Sequence, residues 1–203
     1  GKKQGKWQFL TEGGDVHTFE LYENDKRNSE WYKTGEGKDI YYQFWDMDSL
    51  ISEYADLHYP NGQLIEKISY KEGLKNGKFT GYFQNGAKKY VKRYENDEPE
   101  GKWQYYTMAG KTNAEEIYEE GKRNEEWYRI DEIGDTYYQY WDMDSLISEY
   151  ADLHYPNGQL IEKISYKKGL KDGKFTGYYE SGEVKYKKRY TEDDPDGKWE
   201  YYT

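Results

Sequence analysis

The residues best suited to acid–base or metal chemistry are two pairs of aspartates, Asp46 with Asp48 and Asp142 with Asp144. Carboxylates two positions apart on a strand point to the same side, as a glycosidase pair or a cation site requires. The Asp-x-Asp-Ser sequence is also typical of a hairpin turn, where short side chains bond the local backbone. The glycine and downstream glutamate of an EF-hand loop are missing. We therefore favour a turn over a weak cation site, and either of these over catalysis.

Histidine chemistry has less support. His58 and His154 occupy the same position in two copies of one segment, and His17 has Asn113 as its counterpart. A Ser-His-Asp triad needs a nucleophile and an acid around one histidine, and no G-x-S-x-G elbow occurs. The paired spacing of zinc ligands is absent as well. We interpret the histidines as polar strand residues and predict a protein that is not an enzyme and needs no cofactor.

These residues lie in a sequence that repeats itself. The segment from Trp45 to Lys71 recurs unchanged from Trp141 to Lys167, an offset of 96 residues. The 96-residue block divides into four repeats of 24, the first from Gly5 to Asn28, so the chain holds about eight repeats. A short fixed period indicates a tandem-repeat architecture. We therefore treat residues 1–203 as a single tandem-repeat domain with duplicated blocks 12–107 and 108–203.

Glycine at a fixed position predicts that each repeat is a β-hairpin. The tenth residue of seven repeats is glycine: Gly14, Gly62, Gly86, Gly110, Gly134, Gly158 and Gly182. The second repeat has Gly37-Lys38 instead. An Asn-Gly pair such as Asn61-Gly62, between strand-forming residues, favours a two-residue type I′ turn. A second turn falls near the end of each repeat, as at Glu72-Gly73. Two turns in 24 residues leave two strands.

Apolar and polar residues alternate along these strands. In the third repeat Ala55, Leu57 and Ile68 share one face, and Asp56 and Lys67 share the other, as a half-buried antiparallel sheet requires. The predicted fold class is all-β: an elongated antiparallel sheet of tandem hairpins, open and single-layered or twisted. Such a sheet is stabilised by stacking between neighbours rather than by a central core. Apolar spacing within residues 46–57 leaves a short helix there as an alternative.

Composition limits the partners. The 26 Tyr and 7 Trp at regular intervals argue against disorder. A net charge of −10 argues against general nucleic-acid binding and against an anionic membrane surface. No apolar run approaches the length of a membrane-spanning helix, and the lack of Cys excludes disulfides and thiolate metal sites. These features do not fix a compartment, and our expectation leans towards the cell envelope or secretion.

Candidate binding residues are three aromatics of the second repeat and their copies in the sixth: Tyr32, Tyr41, Trp45, Tyr128, Tyr137 and Trp141. We predict that all of them lie on the face opposite the apolar stripe, which is polar in most repeats. An exposed apolar patch usually marks a contact site, and Trp and Tyr are frequent interface anchors. The alternative is that a loop, a short helix near Leu50 or a second molecule covers these rings. If the patch is exposed, Trp45→Ala or Trp141→Ala should weaken binding and leave the melting temperature nearly unchanged.

The repeat resembles the bacterial variant of the MORN repeat. The likeness rests on Gly101-Lys102-Trp103 with Tyr105-Tyr106, on Asn61-Gly62-Gln63-Leu64, and on Tyr70 with Gly73 and Lys75, and it covers nearly the whole chain. The second and sixth repeats depart from the pattern at Asp46 to Ser49 and Asp142 to Ser145. The resemblance implies a ladder of antiparallel hairpins used for interaction, with no shared set of catalytic residues. Some bacterial relatives are described as antitoxin components, and some eukaryotic members are linked to membrane lipids.

Together these observations predict a non-catalytic scaffold for protein–protein interaction, with a protein partner that the sequence does not identify. The alternative is a carbohydrate or cell-wall binding module, because exposed Trp and Tyr stack on sugar rings. We expect neither nucleic-acid binding nor membrane insertion, and self-association stays open.

Overall fold

The computed structural model describes residues 1–35 and 38–203, and within them every regular element is a β-strand. Gly37, where the second repeat departs from the glycine pattern, lies outside the described residues. The chain divides into two compact units. The first comprises residues 1–100 and 106–111, and the second comprises residues 101–105 and 112–203. The described part of the chain contains no helix that is long and apolar enough to cross a membrane.

The strands follow one another as the repeats predict. Up to residue 111 they are β1 (Gly5–Leu10), β2 (Val16–Glu23), β3 (Lys26–Arg27), β4 (Ser29–Thr34), β5 (Ile40–Asp46), β6 (Ser49–His58), β7 (Leu64–Lys71), β8 (Leu74–Lys75), β9 (Gly77–Tyr82), β10 (Lys88–Glu95), β11 (Glu98–Pro99) and β12 (Gly101–Tyr106). The remaining strands are β13 (Thr112–Glu119), β14 (Lys122–Arg123), β15 (Glu125–Ile130), β16 (Thr136–Asp142), β17 (Ser145–His154), β18 (Leu160–Lys167), β19 (Leu170–Lys171), β20 (Gly173–Tyr178), β21 (Val184–Thr191), β22 (Asp194–Pro195) and β23 (Glu200–Tyr201). In both units successive strands pair antiparallel, which confirms the all-β hairpin fold. The short-helix alternative is wrong, because residues 49–58 form β6.

A two-residue turn with both φ angles positive ends each repeat. Eight such turns occur in the described residues: Asn24-Asp25, Met47-Asp48, Glu72-Gly73, Asn96-Asp97, Glu120-Gly121, Met143-Asp144, Lys168-Gly169 and Glu192-Asp193. Two consecutive positive φ angles define a type I′ turn, whose twist matches that of antiparallel strands. The turn predicted for the Asp-Met-Asp-Ser sequence is therefore confirmed.

The Asn-Gly pairs form a different turn from the one predicted. The amide of Gly62 donates to the Tyr59 carbonyl at 2.7 Å, and the Tyr59 amide donates to the Gln63 carbonyl at 2.7 Å. Gly62 has a positive φ of 84°, whereas Asn61 does not. This loop is a type I turn followed by a left-handed residue, and Pro60 favours its first central position. The type I′ prediction is wrong here because the loop is one residue longer. A bulge lies further along the same hairpin, between Leu57 and His58, in the pairing of β6 with β7.

The second and sixth repeats pair without that bulge. In the second repeat β4 and β5 run in continuous register, with Trp31 opposite Gln43 and Lys33 opposite Tyr41. A shift appears instead at the far end of β5, between Phe44 and Trp45, where β5 meets β6. The sixth repeat behaves identically. A one-residue slip exchanges the two faces of a strand. Side chains on β5 and β16 therefore lie on the opposite face of the sheet from those at equivalent positions of the second strand in the other hairpins.

Aromatic rings cover both faces of the sheet. On one face Trp7, Tyr22, Trp31 and Trp45 touch in sequence, with ring centroids 5.0–6.4 Å apart. On the other face the rings in contact are Phe19, Tyr32, Tyr42 and Tyr54. Each such pair contributes about 0.5–1.5 kcal/mol beyond the area it buries. Contacts between neighbouring strands thus hold together a fold whose buried apolar side chains are few: Ala55, Phe79, Trp103, Trp141, Ala151 and Phe175.

Tyrosine hydroxyls also tie consecutive repeats together. Four of them donate to a glutamate 24 residues earlier: Tyr54 to Glu30, Tyr90 to Glu66, Tyr150 to Glu126 and Tyr186 to Glu162. Burial, and then the bonded glutamate, raises the pKa of each of these hydroxyls well above its ordinary value. Each hydroxyl therefore stays protonated at physiological pH, and a hydroxyl that donates to a carboxylate makes a strong form of hydrogen bond.

Candidate functional site

Each compact unit carries a groove, and equivalent strands build these two grooves. The first groove, of about 630 Å³, lies on β2 and β4–β7. The second groove, of about 780 Å³, lies on β13 and β15–β18. Every residue that lines the second groove has its counterpart 96 positions earlier in the first. The counterparts differ at three positions: Thr18 with Ala114, Phe19 with Glu115, and Lys33 with Arg129. The duplication of the sequence has therefore produced one site twice.

The strand registers place ten of the fifteen residues that line each groove in two rows on one face of the sheet. Of the other five in the first groove, Phe19, Tyr32, Tyr42 and Tyr54 alternate with them along the strands and have their rings on the other face. In the first groove the upper row is Glu20, Trp31, Gln43, Glu53 and Tyr70, and the lower row is Thr18, Lys33, Tyr41, Ala55 and Ile68. In the second groove the rows are Glu116, Trp127, Gln139, Glu149 and Tyr166, and Ala114, Arg129, Tyr137, Ala151 and Ile164. Directly opposed residues in such rows lie roughly 4.5–5.5 Å apart. Neighbours along a row are therefore in contact range.

A small residue among large ones makes the surface concave. Ala55 lies in the lower row between Tyr41 and Ile68, and only 4% of it is exposed. Its methyl group cannot reach the height of the neighbouring rings, so it forms a floor. Tyr41 stands at the rim with 46% of its surface exposed. Ala151 and Tyr137 repeat this arrangement in the second groove.

Amide and carboxylate groups supply the polar part of each groove. The Gln43 Nε2 donates to Glu53 Oε1 at 2.7 Å, and Gln139 donates to Glu149 at 2.8 Å. At the end of the upper row, the Tyr22 hydroxyl donates to Glu20 at 3.1 Å. Each groove thus offers carboxylate oxygens and aromatic faces side by side. Such a surface can bind hydrogen-bond donors and cations.

The structure does not bring the six predicted binding residues together on one face. Tyr41 and Trp45 alternate with Gln43 on the groove face, whereas Tyr32 opposes Tyr42 on the other face. The copies Tyr128, Tyr137 and Trp141 separate in the same way. The prediction that all six lie opposite the apolar stripe is wrong. The reason is the missing bulge, which turns β5 and β16 over.

The two tryptophans of that set are covered rather than exposed. The guanidinium of Arg27 lies 3.6 Å from the Trp45 ring centroid, and that of Arg123 lies 3.8 Å from Trp141. Only 8% of Trp141 is exposed. Tyr41 and Tyr137 are exposed and line the grooves. The prediction of an exposed patch anchored on Trp45 and Trp141 is therefore wrong. The exposed rings of the predicted set are those of Tyr41 and Tyr137.

Asp48 and Asp144 hold these arginines in place. Asp48 Oδ1 accepts from the Arg27 amide at 2.8 Å and from its Nε at 3.2 Å, and Asp144 binds Arg123 at 3.0 and 2.9 Å. Bonds from the Arg27 amide, and from the Arg123 side chain, keep the pKa of the two aspartates below its usual range. Asp46 and Asp142 pair with Ser49 and Ser145 where the strands end. Residues 1–35 and 38–203 contain no group of three or more His, Cys, Asp or Glu that could hold a metal.

We expect acid to weaken the hydrogen bonds that Asp48 and Asp144 accept from Arg27 and Arg123. A carboxyl group with a lowered pKa in the folded state stabilises the protein above its ordinary pKa of about 3.9, and the contribution disappears as pH falls through the folded value. Asp48→Asn with Asp144→Asn should therefore cost stability at pH 7 and progressively less towards pH 2. The measurement is the urea midpoint of both proteins across this range. Asp46→Asn with Asp142→Asn is the matched control. A loss of stability in the Asp48→Asn, Asp144→Asn variant that stays constant with pH would contradict the mechanism.

Trp31, Gln43, Glu53 and Ala55 line the first groove but are not among the binding residues predicted from the sequence. One signal was present. Ala55 stands in the apolar stripe of the third repeat among Leu, Ile and Tyr, and a small residue among large ones predicts a depression. Its position beside Tyr41 became visible only with the register of β5.

The fold and the grooves define the class of protein: a tandem β-hairpin repeat protein with an equivalent aromatic groove in each compact unit. No protein-family model matches the chain, and no curated protein matches it.

Proposed function

We propose that this protein is a non-catalytic scaffold for protein–protein interaction that binds through its two grooves. The observation that carries the proposal is the duplication of one concave surface, with its exposed tyrosine, alanine floor and carboxylate, in both compact units. Concave, largely apolar sites with a few placed polar groups are typical of binding. Two equivalent sites on one chain also increase avidity for a partner that reaches both or repeats its motif.

The absence of a catalytic role is part of the proposal. Within each groove the polar side chains of the upper row bond each other, as Gln43 does with Glu53. Nucleophilic catalysis needs a nucleophile beside a general base, and the described lining residues supply no such pair. The resemblance to MORN-type repeats supports an interaction role of bacterial type, at the cell envelope or after secretion.

Carbohydrate binding is the second candidate, and the exposed tyrosines favour it. Tyr41 and Tyr137 are exposed and lie beside the row that holds Glu53 and Glu149, and the Arg129 guanidinium lies 5.4 Å from the Tyr137 ring centroid. A sugar ring stacked on such a tyrosine would place hydroxyl donors within reach of a carboxylate. The two candidates differ in what the same groove binds, so one pair of variants tests both.

Filling the floor should abolish binding. Ala55→Leu and Ala151→Leu each place a larger side chain where the alanine is only 4% exposed, so we expect loss of the site together with a stability cost of about 1–3 kcal/mol, and circular dichroism checks that the variants fold. The wild-type protein and the double variant are used as parallel baits in lysate from the source organism. A partner recovered by the wild type alone is then purified for calorimetry. We expect two sites on the wild type, one on either single variant and none on the double variant.

Ser52→Leu and Ser148→Leu are the controls, because they place a leucine on β6 and β17 on the opposite face, at half-buried positions. A purified partner that binds the double variant as tightly as the wild type would refute groove binding. Binding to a glycan array that the double variant loses, with no protein partner, would favour the carbohydrate candidate instead.

A further inference from the structure

We infer that each groove binds a cationic side chain, arginine or lysine, from an extended segment of the protein partner. The inference rests on the proposed interaction function and specifies the chemistry of the partner. It follows from the carboxylates, the rings and the charge balance of the grooves.

The groove carboxylates lack a cation of their own. Glu53 and Glu149 are half-buried and receive a hydrogen bond from a neutral amide. Among the described residues no Lys, Arg or His nitrogen lies within 4.0 Å of them. A partly desolvated carboxylate that binds only neutral donors gains most from a charged one.

The other face of the same strands shows the contrast. Asp56 is the residue after Ala55 on β6, and it pairs with Lys67 at 3.2 Å. Its copy Asp152 pairs with Lys163 at 3.1 Å. The cross-strand neighbours of Glu53 are instead Gln43 and Tyr70. The sheet thus supplies a lysine to the half-buried acid outside the groove and none to the acid inside it.

The rings beside these carboxylates suit a cation as well. This chain already places cations over its own rings, as Arg27 over Trp45 at 3.6 Å and Lys3 over Tyr22 at 4.5 Å show. A guanidinium or ammonium group over Tyr41 or Tyr70 would gain the same interaction. It would also lie next to the Glu53 carboxylate.

The charge balance of the groove favours the same ligand. Each groove has two carboxylates in its upper row, Glu20 and Glu53 in the first, against one cation in the lower row, Lys33. The whole chain carries a net charge of −10, which attracts cationic segments at long range. Lys33 and its counterpart Arg129 oppose the ligand. Their removal should therefore strengthen binding, whereas removal of the glutamates should weaken it.

The test uses a blocked hexapeptide with two arginines separated by one serine, so that both side chains lie on one face of an extended peptide. Its neutral counterpart carries citrulline in place of arginine. By calorimetry at low salt we expect two sites for the arginine peptide and at least about tenfold weaker binding of the citrulline peptide. Glu53→Gln with Glu149→Gln should weaken the arginine peptide about fivefold, and Lys33→Gln with Arg129→Gln should strengthen it about twofold.

Equal affinity for the two peptides, no binding of the arginine peptide at millimolar concentration, or no effect of the glutamate variants would each overturn the inference. Circular dichroism of the variants confirms that they fold. The proposed scaffold function is tested separately, by the capture experiment with Ala55→Leu and Ala151→Leu. If filling the grooves abolishes binding of a protein partner, but the arginine peptide binds no better than the citrulline peptide, the proposed scaffold function is retained. The inference that the grooves bind a cationic side chain is then rejected.

Discussion

Replacing Trp141 by alanine is expected to lower the free energy of unfolding by about 3–5 kcal/mol, the range for truncation of a large buried aromatic residue. Trp141 is 8% exposed and lies between the Trp127 ring, 5.9 Å away, and the Arg123 guanidinium. Its loss removes the contact with the Trp127 ring and leaves the Arg123 guanidinium without the indole ring that it packs against. This expectation replaces the prediction from sequence that Trp141→Ala would leave the melting temperature nearly unchanged.

The measurement is equilibrium denaturation of the full chain. Tyr137→Ala is the control, because Tyr137 lies on the same face of β16 but is 37% exposed. Its truncation should cost about 1 kcal/mol or less, as surface changes do. If the two variants were equally stable, Trp141 would not be part of the packed structure and the Arg123 contact would carry no stability.

Gly177→Ala is expected to destabilise the protein by about 1–3 kcal/mol, the cost of forcing an extra group into a filled space. A Cβ built on Gly177 would lie 2.4 Å from the ring of Tyr186. The ring must move away, and the 2.7 Å hydrogen bond from its hydroxyl to Glu162 is then lost. Gly81 lies under Tyr90 in the same way, and Gly81→Ala should have a similar effect.

A double-mutant cycle isolates the cause. Without the ring, alanine is the better strand residue, because glycine costs roughly 0.5–1 kcal/mol within a strand. Gly177→Ala should therefore stabilise a Tyr186→Ala background and destabilise the wild type. Urea denaturation of the four proteins gives both effects. An equal cost of Gly177→Ala in the two backgrounds would show that the ring is not responsible.

Much of the fold could be predicted from local sequence. The repeat period, the apolar alternation and the turn residues predicted one hairpin per 24 residues, and Ser49–His58 is a strand as that pattern requires. The Asp-Met-Asp-Ser turn was predicted because Asp and Ser bond the nearby backbone. The location of the type I′ turns was not predicted from the sequence. Both turns of a repeat have suitable residues, and the loop length at Asn61-Gly62 decides which geometry forms.

The candidate site was less accessible to sequence reasoning. Tyr41 was chosen as a contact residue, and it does line a groove, but it was grouped with Tyr32 and Trp45. The grouping assumed that every hairpin has the same register. A single absent bulge between β4 and β5 reverses the faces of β5, and no residue of the second repeat signals this by itself.

The sequence by itself determined the strands and the places where the chain turns, because these depend on residues a few positions apart. The tertiary structure decided which side chains share a face, because register accumulates from strand to strand through bulges. It also decided that Arg27 covers Trp45, since Asp48, 21 residues after Arg27, fixes that arginine. The grooves exist for the same reason. Only the pairing of β5 with β6 places the small Ala55 beside the exposed Tyr41.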